Sequence, residues 1–134
     1  MTIALDASAA IAVLSTPEGF GVLEHEHLIA PALLWSEVTS VLHRAVTRSQ
    51  VSAAFRREAL GRLLVCSVEQ RTPASLIAEA WAIADALGWS KTYDAEYIAL
   101  ARLERCVLVT ADARQRRAAE RFVEVQGLDE LLTE

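Results

Sequence analysis

The sequence predicts an α/β protein, a three-layer α/β/α sandwich around a short, mainly parallel central sheet of four to five strands. Three observations lead there. Short apolar runs alternate with longer stretches whose apolar residues recur at helical spacing. The short runs lack in/out alternation, which implies burial on both faces, as parallel strands covered by helices require. The length of 134 residues suits one domain with a full core, so residues 1–134 are read as a single unit.

Thr2 to Leu5 reads as the first strand and Ala7 to Ser15 as the first helix, broken by Thr16-Pro17. A weaker helical piece, Glu18 to His25, is loosened by Gly19 and Gly21, and Leu28 to Ala30 is the second strand. Pro31 suits the first turn of a helix, where its missing N–H costs nothing. That helix carries Leu34, Val38, Val41, Leu42 and Ala45 at helical spacing. Ser52 caps the next helix, which ends near Leu64. Val65 to Glu69 reads as a third strand, Pro73 to Leu87 as a helix stopped by Gly88, and Asp94 to Glu104 as another helix. Cys106 to Thr110 is the clearest strand, followed by a helix from Asp112 to Arg121, a short strand from Phe122 to Val125 and a last turn from Leu128 to Leu132.

Apolar residues make up 53% and charged residues 23%, a composition of compact rather than disordered chains. The formal net charge of -5 offers no global basic field for nucleic acid. Local basic strips remain: Arg114, Arg116, Arg117 and Arg121 after Asp112, and Arg44 and Arg48 after Glu37. Cys66 and Cys106 share no CxxC spacing and read as small buried side chains. No apolar run approaches membrane-spanning length and no leader pattern is present, so a soluble, cytoplasmic protein is expected.

Four acidic residues stand out. Asp6 ends the run Thr2 to Leu5, Glu37 interrupts the apolar stripe between Leu34 and Val41, Asp94 opens an apolar helix, and Asp112 follows the run Cys106 to Val109. A carboxylate in apolar surroundings costs several kcal/mol, roughly, unless paired or bound to a cation. Each has an ordinary explanation. Asp6, Asp94 and Asp112 each suit a helix N-cap, Asp112 with Gln115 in a capping-box spacing, and Glu37 has Arg44 two turns away. Asp6 and Asp112 both fall at carboxyl ends of strands, where open parallel sheets place their sites. If the four converge, they repel one another, and a hard divalent ion with oxygen ligands such as Mg²⁺ or Mn²⁺ resolves the repulsion.

Other groups rank lower. Ser8 and Thr110 suit hydrogen bonds to Asp6 and Asp112, and Glu96 and Asp85 are expected on the surface. His25, His27 and His43 are scattered without an HExxH pattern, and neither GxGxxG nor GxxxxGK[ST] occurs. Trp35, Trp81 and Trp89 are expected in the core or an interface rather than as base-stacking platforms, and Tyr93 and Tyr97 in packing.

The segments IALDASAAI, PALLWSEVTSVLHR, TYDAEYIALA and CVLVTADARQ, in this order and over almost the whole chain, resemble the PIN-domain ribonucleases, above all the VapC toxins of bacterial toxin–antitoxin pairs. The resemblance implies a PIN-like fold and a Mg²⁺- or Mn²⁺-dependent endoribonuclease. It implies that Asp6, Glu37, Asp94 and Asp112 are the catalytic, metal-binding quartet, with Thr110 the hydroxyl of the Thr-x-Asp motif and Ser8 supporting Asp6. It implies a VapB-like antitoxin, an RNA substrate and a homodimer, and no membrane. In such an enzyme metal-activated water attacks the phosphodiester and no protein nucleophile is needed, in keeping with the lack of a Ser-His or Cys-His arrangement. Arg114, Arg117 and Arg121 are candidates for gripping flanking phosphates. Two alternatives stay open: a magnesium-dependent phosphatase or receiver domain, disfavoured by Ser8 in place of a second acid and by Lys91 as the single lysine, and a non-catalytic PIN-fold interaction module.

Overall fold

The computed structural model describes residues 1–47 and 51–133. Its strands are β1 (Thr2–Leu5), β2 (His27–Ala30), β3 (Glu69–Gln70), β4 (Val107–Thr110) and β5 (Val125–Gly127). Its helices are α1 (Ala7–Leu14), α2 (Leu33–Thr47), α3 (Ala53–Leu64), α4 (Leu76–Leu87), α5 (Tyr93–Glu104), α6 (Ala113–Ala119) and α7 (Leu128–Leu132), with a 3₁₀ segment at Gly19–Leu23. Among the described residues the strands form one sheet in the order β3-β2-β1-β4-β5, and every neighbouring pair is parallel.

This order follows from the apolar strands. Ala4 lies between Ile29 of β2 and Leu108 of β4, and all three are buried. Strands this apolar are stable only when both faces are covered. Right-handed crossovers make the connections running from β1 toward β3 cover one face and those running back toward β5 the other. On the first face α1 packs on α2 and α3; on the second α4 packs on α5. Ala9 and Ala10, both fully buried, leave no bulk between α1 and its neighbours.

The strand order reverses between β1 and β4, and at such a switch point two adjacent carboxyl ends open into a crevice. Asp6 follows β1 there, and Asp112 follows β4 by one intervening residue.

Several boundaries differ from the sequence reading. The third strand is reduced to Glu69–Gln70 at the sheet edge; Val65, 84% exposed, belongs to the turn that ends α3. The strand after α6 begins at Val125, because the Phe122 and Val123 N–H groups bond back to the Ala119 carbonyl and close the helix. Pro31 and Pro73 stand just before their helices and accept from Leu34 and Leu76. The Gly88 stop is as expected: its φ of 69° is the left-handed conformation that glycine adopts without a Cβ clash. Among the described residues no helix is long and apolar enough to cross a membrane. Arg48 of the expected basic strip lies outside the described residues.

Candidate functional site

Asp6 is the most tightly held acid. It is 4% exposed and caps α1, with the Ala9 N–H donating to Oδ1 at 2.9 Å. Ser8 Oγ donates to the same oxygen at 2.7 Å, and Thr110 Oγ1 donates to Oδ2. The two hydroxyls lie 3.2 Å apart and tie β1 to β4: the Ala111 N–H donates to Ser8 Oγ and the Asp112 N–H to Thr110 Oγ1. Burial raises the Asp6 carboxyl above the usual carboxylate range, the three donors pull it back, and the Asp112 charge raises it again. Ser8 and Thr110 both donate to Asp6, and neither side chain donates to Asp112, whose own N–H donates to Thr110.

Glu37 projects from α2, partly buried, and its Oε1 accepts from the Tyr97 hydroxyl at 2.7 Å. Its carboxyl is also raised, first by burial and then by the charges of Asp94 and Asp6. An ion pair with Arg44 is not the explanation, since the partner comes from α5. Tyr97 is 1% exposed, and burial together with the Glu37 charge pushes its hydroxyl far above the ordinary tyrosine range, so it stays a proton donor. The sequence assigned Tyr97 to packing; its helical register places the ring in the core, and nothing in that register shows that the hydroxyl reaches an acid on α2.

Asp94 is the second residue of α5, not its cap. Thr92 holds that position, and the Asp94 side chain is 48% exposed beside Arg114, whose Nη1 lies 3.9 Å away. Asp112 caps α6, accepting from the Arg114 and Gln115 N–H groups at 2.8 and 3.3 Å, and is exposed. The capping box is only half made: the Gln115 side chain turns to the Asp94 carbonyl at 2.9 Å and couples α6 to α5. The expectation of four acids in apolar surroundings therefore needs correction. Asp6 is buried, Glu37 and Asp94 are intermediate, and Asp112, one residue further past its strand than Asp6 is past β1, is at the surface.

The four acids are electrostatic neighbours in a series, Asp112 to Asp6 to Glu37 to Asp94. Glu96, expected in solvent, joins them: it is partly buried, and its carboxyl is raised by burial and by Glu37. A cleft of about 450 Å³ is lined by Glu37 and Asp94 together with Trp89, Lys91 and Arg114, while Asp112 lines a separate hollow with Arg116 and Gly127. Of the arginines proposed to grip RNA, Arg114 lines this cleft, Arg117 lies exposed on α6, and Arg121 sits over the Phe122 ring at 5.6 Å.

Among the described residues no group of three His, Cys, Asp or Glu side chains is drawn tightly enough to hold a metal ion as it stands. The donor set fits a hydrated ion better than a closed cage. It consists of carboxylates only, and Mg²⁺ keeps several waters while taking one or two carboxylates directly. Asp6 Oδ2, with Thr110 as its one donor, retains a lone pair for such a contact.

A parallel sheet whose strand order reverses between β1 and β4, with an acid following each of their carboxyl ends, defines an open α/β protein. The chain belongs to the PIN domain family, whose profile matches residues 3–121, and within it to the VapC group. It is 37% identical over 113 residues to VapC ribonuclease Mb0985 of Mycobacterium bovis, with 84% of this chain and 87% of that protein covered. Ribonuclease VapC9 of Mycobacterium tuberculosis matches to the same extent. Among solved structures, PAE2754 from Pyrobaculum aerophilum shares the fold with a TM-score of 0.76 at 23% identity, over 99% of this chain and 96% of that one. VapBC2 from Rickettsia felis, solved bound to a DNA fragment from their promoter, does so with a TM-score of 0.67 at 13% identity, over 95% and 98%.

Proposed function

We propose that the protein is a metal-dependent endoribonuclease of the toxin type, held in check by a VapB-like antitoxin. The observation that supports this reading is the electrostatic linkage of Asp6 with Asp112 and of Glu37 with Asp94 and Asp6, acids from distant parts of the chain. Membership of the PIN domain family and relatives named ribonucleases stand behind it.

Asp6, Glu37, Asp94 and Asp112 would hold one or two Mg²⁺ or Mn²⁺ ions. When bound, such an ion lowers the pKa of water and offsets charge on the phosphorus oxygens. The chain's own residues do the positioning. Ser8, Thr110 and the Ala9 N–H fix Asp6 in one orientation. Tyr97 fixes Glu37 through Oε1 and leaves Oε2 as the oxygen able to take a proton from the attacking water. Water adds to phosphorus as the bond to the ribose 3′-oxygen breaks, and the departing oxygen takes a proton from solvent water, leaving a 5′-phosphate and a 3′-hydroxyl. No side chain has to form a covalent bond, so preorganised charge supplies the catalysis.

The antitoxin in this reading is a chain with a basic segment, complementary to the acidic crevice and to a net charge of -5. Homodimerisation through α4, where Ile77 and Trp81 stand exposed one turn apart, belongs to the same reading.

The decisive assay is cleavage of labelled RNA by the purified protein. Asp6→Asn and Asp94→Asn are expected to abolish Mg²⁺-dependent cleavage while thermal unfolding stays cooperative. Cleavage that survives both substitutions, or continues undiminished in EDTA, refutes the mechanism.

A further inference from the structure

The acids that line the cleft have been assigned chemistry, but the other residues lining it have not. α4 ends at Gly88, whose left-handed backbone turns the chain so that Trp89 donates its N–H back to the Ala84 carbonyl at 2.9 Å. The turn brings the indole to the cleft five residues before Asp94. Trp89 is partly buried, so one part packs on the core while the rest faces the opening. The Arg114 guanidinium lies over the ring, 5.1 Å from its centroid, and is itself 65% exposed. Tyr93, 55% exposed, lines the same cleft. Lys91, the chain's only lysine, lies there too.

We propose that Trp89, with Lys91 and Arg114, forms the subsite that holds one base and the adjoining phosphate of a single-stranded RNA beside the acidic cleft. The proposal rests on the ribonuclease reading and names how that site grips its substrate. Its logic is electrostatic first. A chain of net charge -5 with four acids at its site repels a polyanion, so affinity must come from groups at the cleft itself. Lys91 and Arg114 line the same cleft as Glu37 and Asp94 and meet that need, Arg114 from a position beside Asp94. The second argument is shape. Single-stranded RNA is held by stacking its unpaired bases on aromatic rings and guanidinium planes. The guanidinium on the indole shows that the ring admits a flat partner, and its high exposure lets it move aside toward the phosphate when a base takes that place. Trp89 packs against the core as the sequence suggested, and in this proposal its remaining face serves as the platform.

The test separates this from the nuclease reading by measuring binding without cleavage. In an Asp6→Asn background, a fluorescein-labelled single-stranded RNA and an abasic RNA of the same length are titrated by anisotropy in Mg²⁺ buffer. Trp89→Ala is expected to weaken binding of the intact RNA roughly 5- to 100-fold and leave the abasic RNA unchanged, while Trp89→Phe retains most of the affinity. Lys91→Ala is expected to weaken both RNAs and to reduce the slope of log affinity against log salt by about 0.7. In the cleavage-competent protein Trp89→Ala should raise KM with kcat little altered. Equal losses for intact and abasic RNA, or no loss for either, overturn the stacking subsite and leave the nuclease reading standing. Failure of the Asp6→Asn protein to bind either RNA overturns both.

Discussion

The Tyr97 hydroxyl bond to Glu37 is the contact whose removal tests the site most directly. Tyr97→Phe deletes one oxygen and keeps the ring, so packing around a side chain that is 1% exposed is preserved. The lost interaction is a 2.7 Å bond to a carboxylate. Hydrogen bonds to charged groups contribute about 1.5–3 kcal/mol, and because Glu37 is only partly buried water replaces part of it, which leaves about 1–2 kcal/mol. For a chain of this size that lowers Tm by roughly 3–8 °C. A double-mutant cycle isolates the pair: Tyr97→Phe, Glu37→Gln and the double substitution are unfolded in urea at neutral pH without metal. A coupling of about 1 kcal/mol is expected. The burial that raises the Glu37 carboxyl also sets the pH dependence. As pH falls through its raised pKa the acceptor becomes neutral, the bond loses its charge assistance, and the coupling shrinks. Additive effects within about 0.5 kcal/mol at neutral pH refute the claim that Tyr97 holds Glu37.

Two further outcomes are expected. Burial followed by mutual repulsion raises Asp6 and Glu37, so the folded state binds their protons more tightly than the unfolded chain does; the stability these groups contribute is therefore present below the unfolded carboxylate range and is lost as pH rises through the raised folded values. Scanning fluorimetry in EDTA should show this slope in the native protein and a reduced one in Asp6→Asn, with added Mg²⁺ raising Tm more at neutral than at mildly acidic pH; a larger Mg²⁺ effect in acid contradicts it. Arg62 donates to the carbonyls of Leu14, Thr16 and Pro17 at 3.1, 2.7 and 3.0 Å and ties α3 to the end of α1. Arg62→Ala should cost about 2–4 kcal/mol in urea unfolding, with Arg62→Lys recovering less than half because one ammonium cannot reproduce the fork; a loss under about 0.5 kcal/mol for Arg62→Ala shows that the carbonyls are satisfied by water instead.

The sheet was legible because its strands are apolar on both faces, a pattern that depends on local composition alone. β3 was not, since a two-residue edge strand of Glu69 and Gln70 carries no hydrophobic signal and its pairing is set by β2. The four acids were legible as exceptions to their apolar surroundings, yet their degree of burial was not. Burial of Asp112 or Asp94 depends on how far a helix start projects past the sheet, which no local pattern encodes. Tyr97 and Glu96 were assigned to packing and solvent for a related reason: their importance comes from Glu37, which is far away in sequence and adjacent only after folding.

Asp6 shows why asking whether an acid is a helix cap or a ligand offers a false choice. Capping commits Oδ1: the Ala9 N–H and the Ser8 hydroxyl converge on it and fix the plane of the carboxylate. That same plane directs Oδ2 to Thr110, at the end of the neighbouring strand. The cap is thus what aims the second oxygen into the crevice between β1 and β4. Because both hydroxyl donors also accept N–H groups of the chain leading to Asp112, the neighbouring acids Asp6 and Asp112 are positioned by one hydrogen-bonded unit. Residues that serve helix initiation hold the acids in register, and the strand order places that register where the sheet opens.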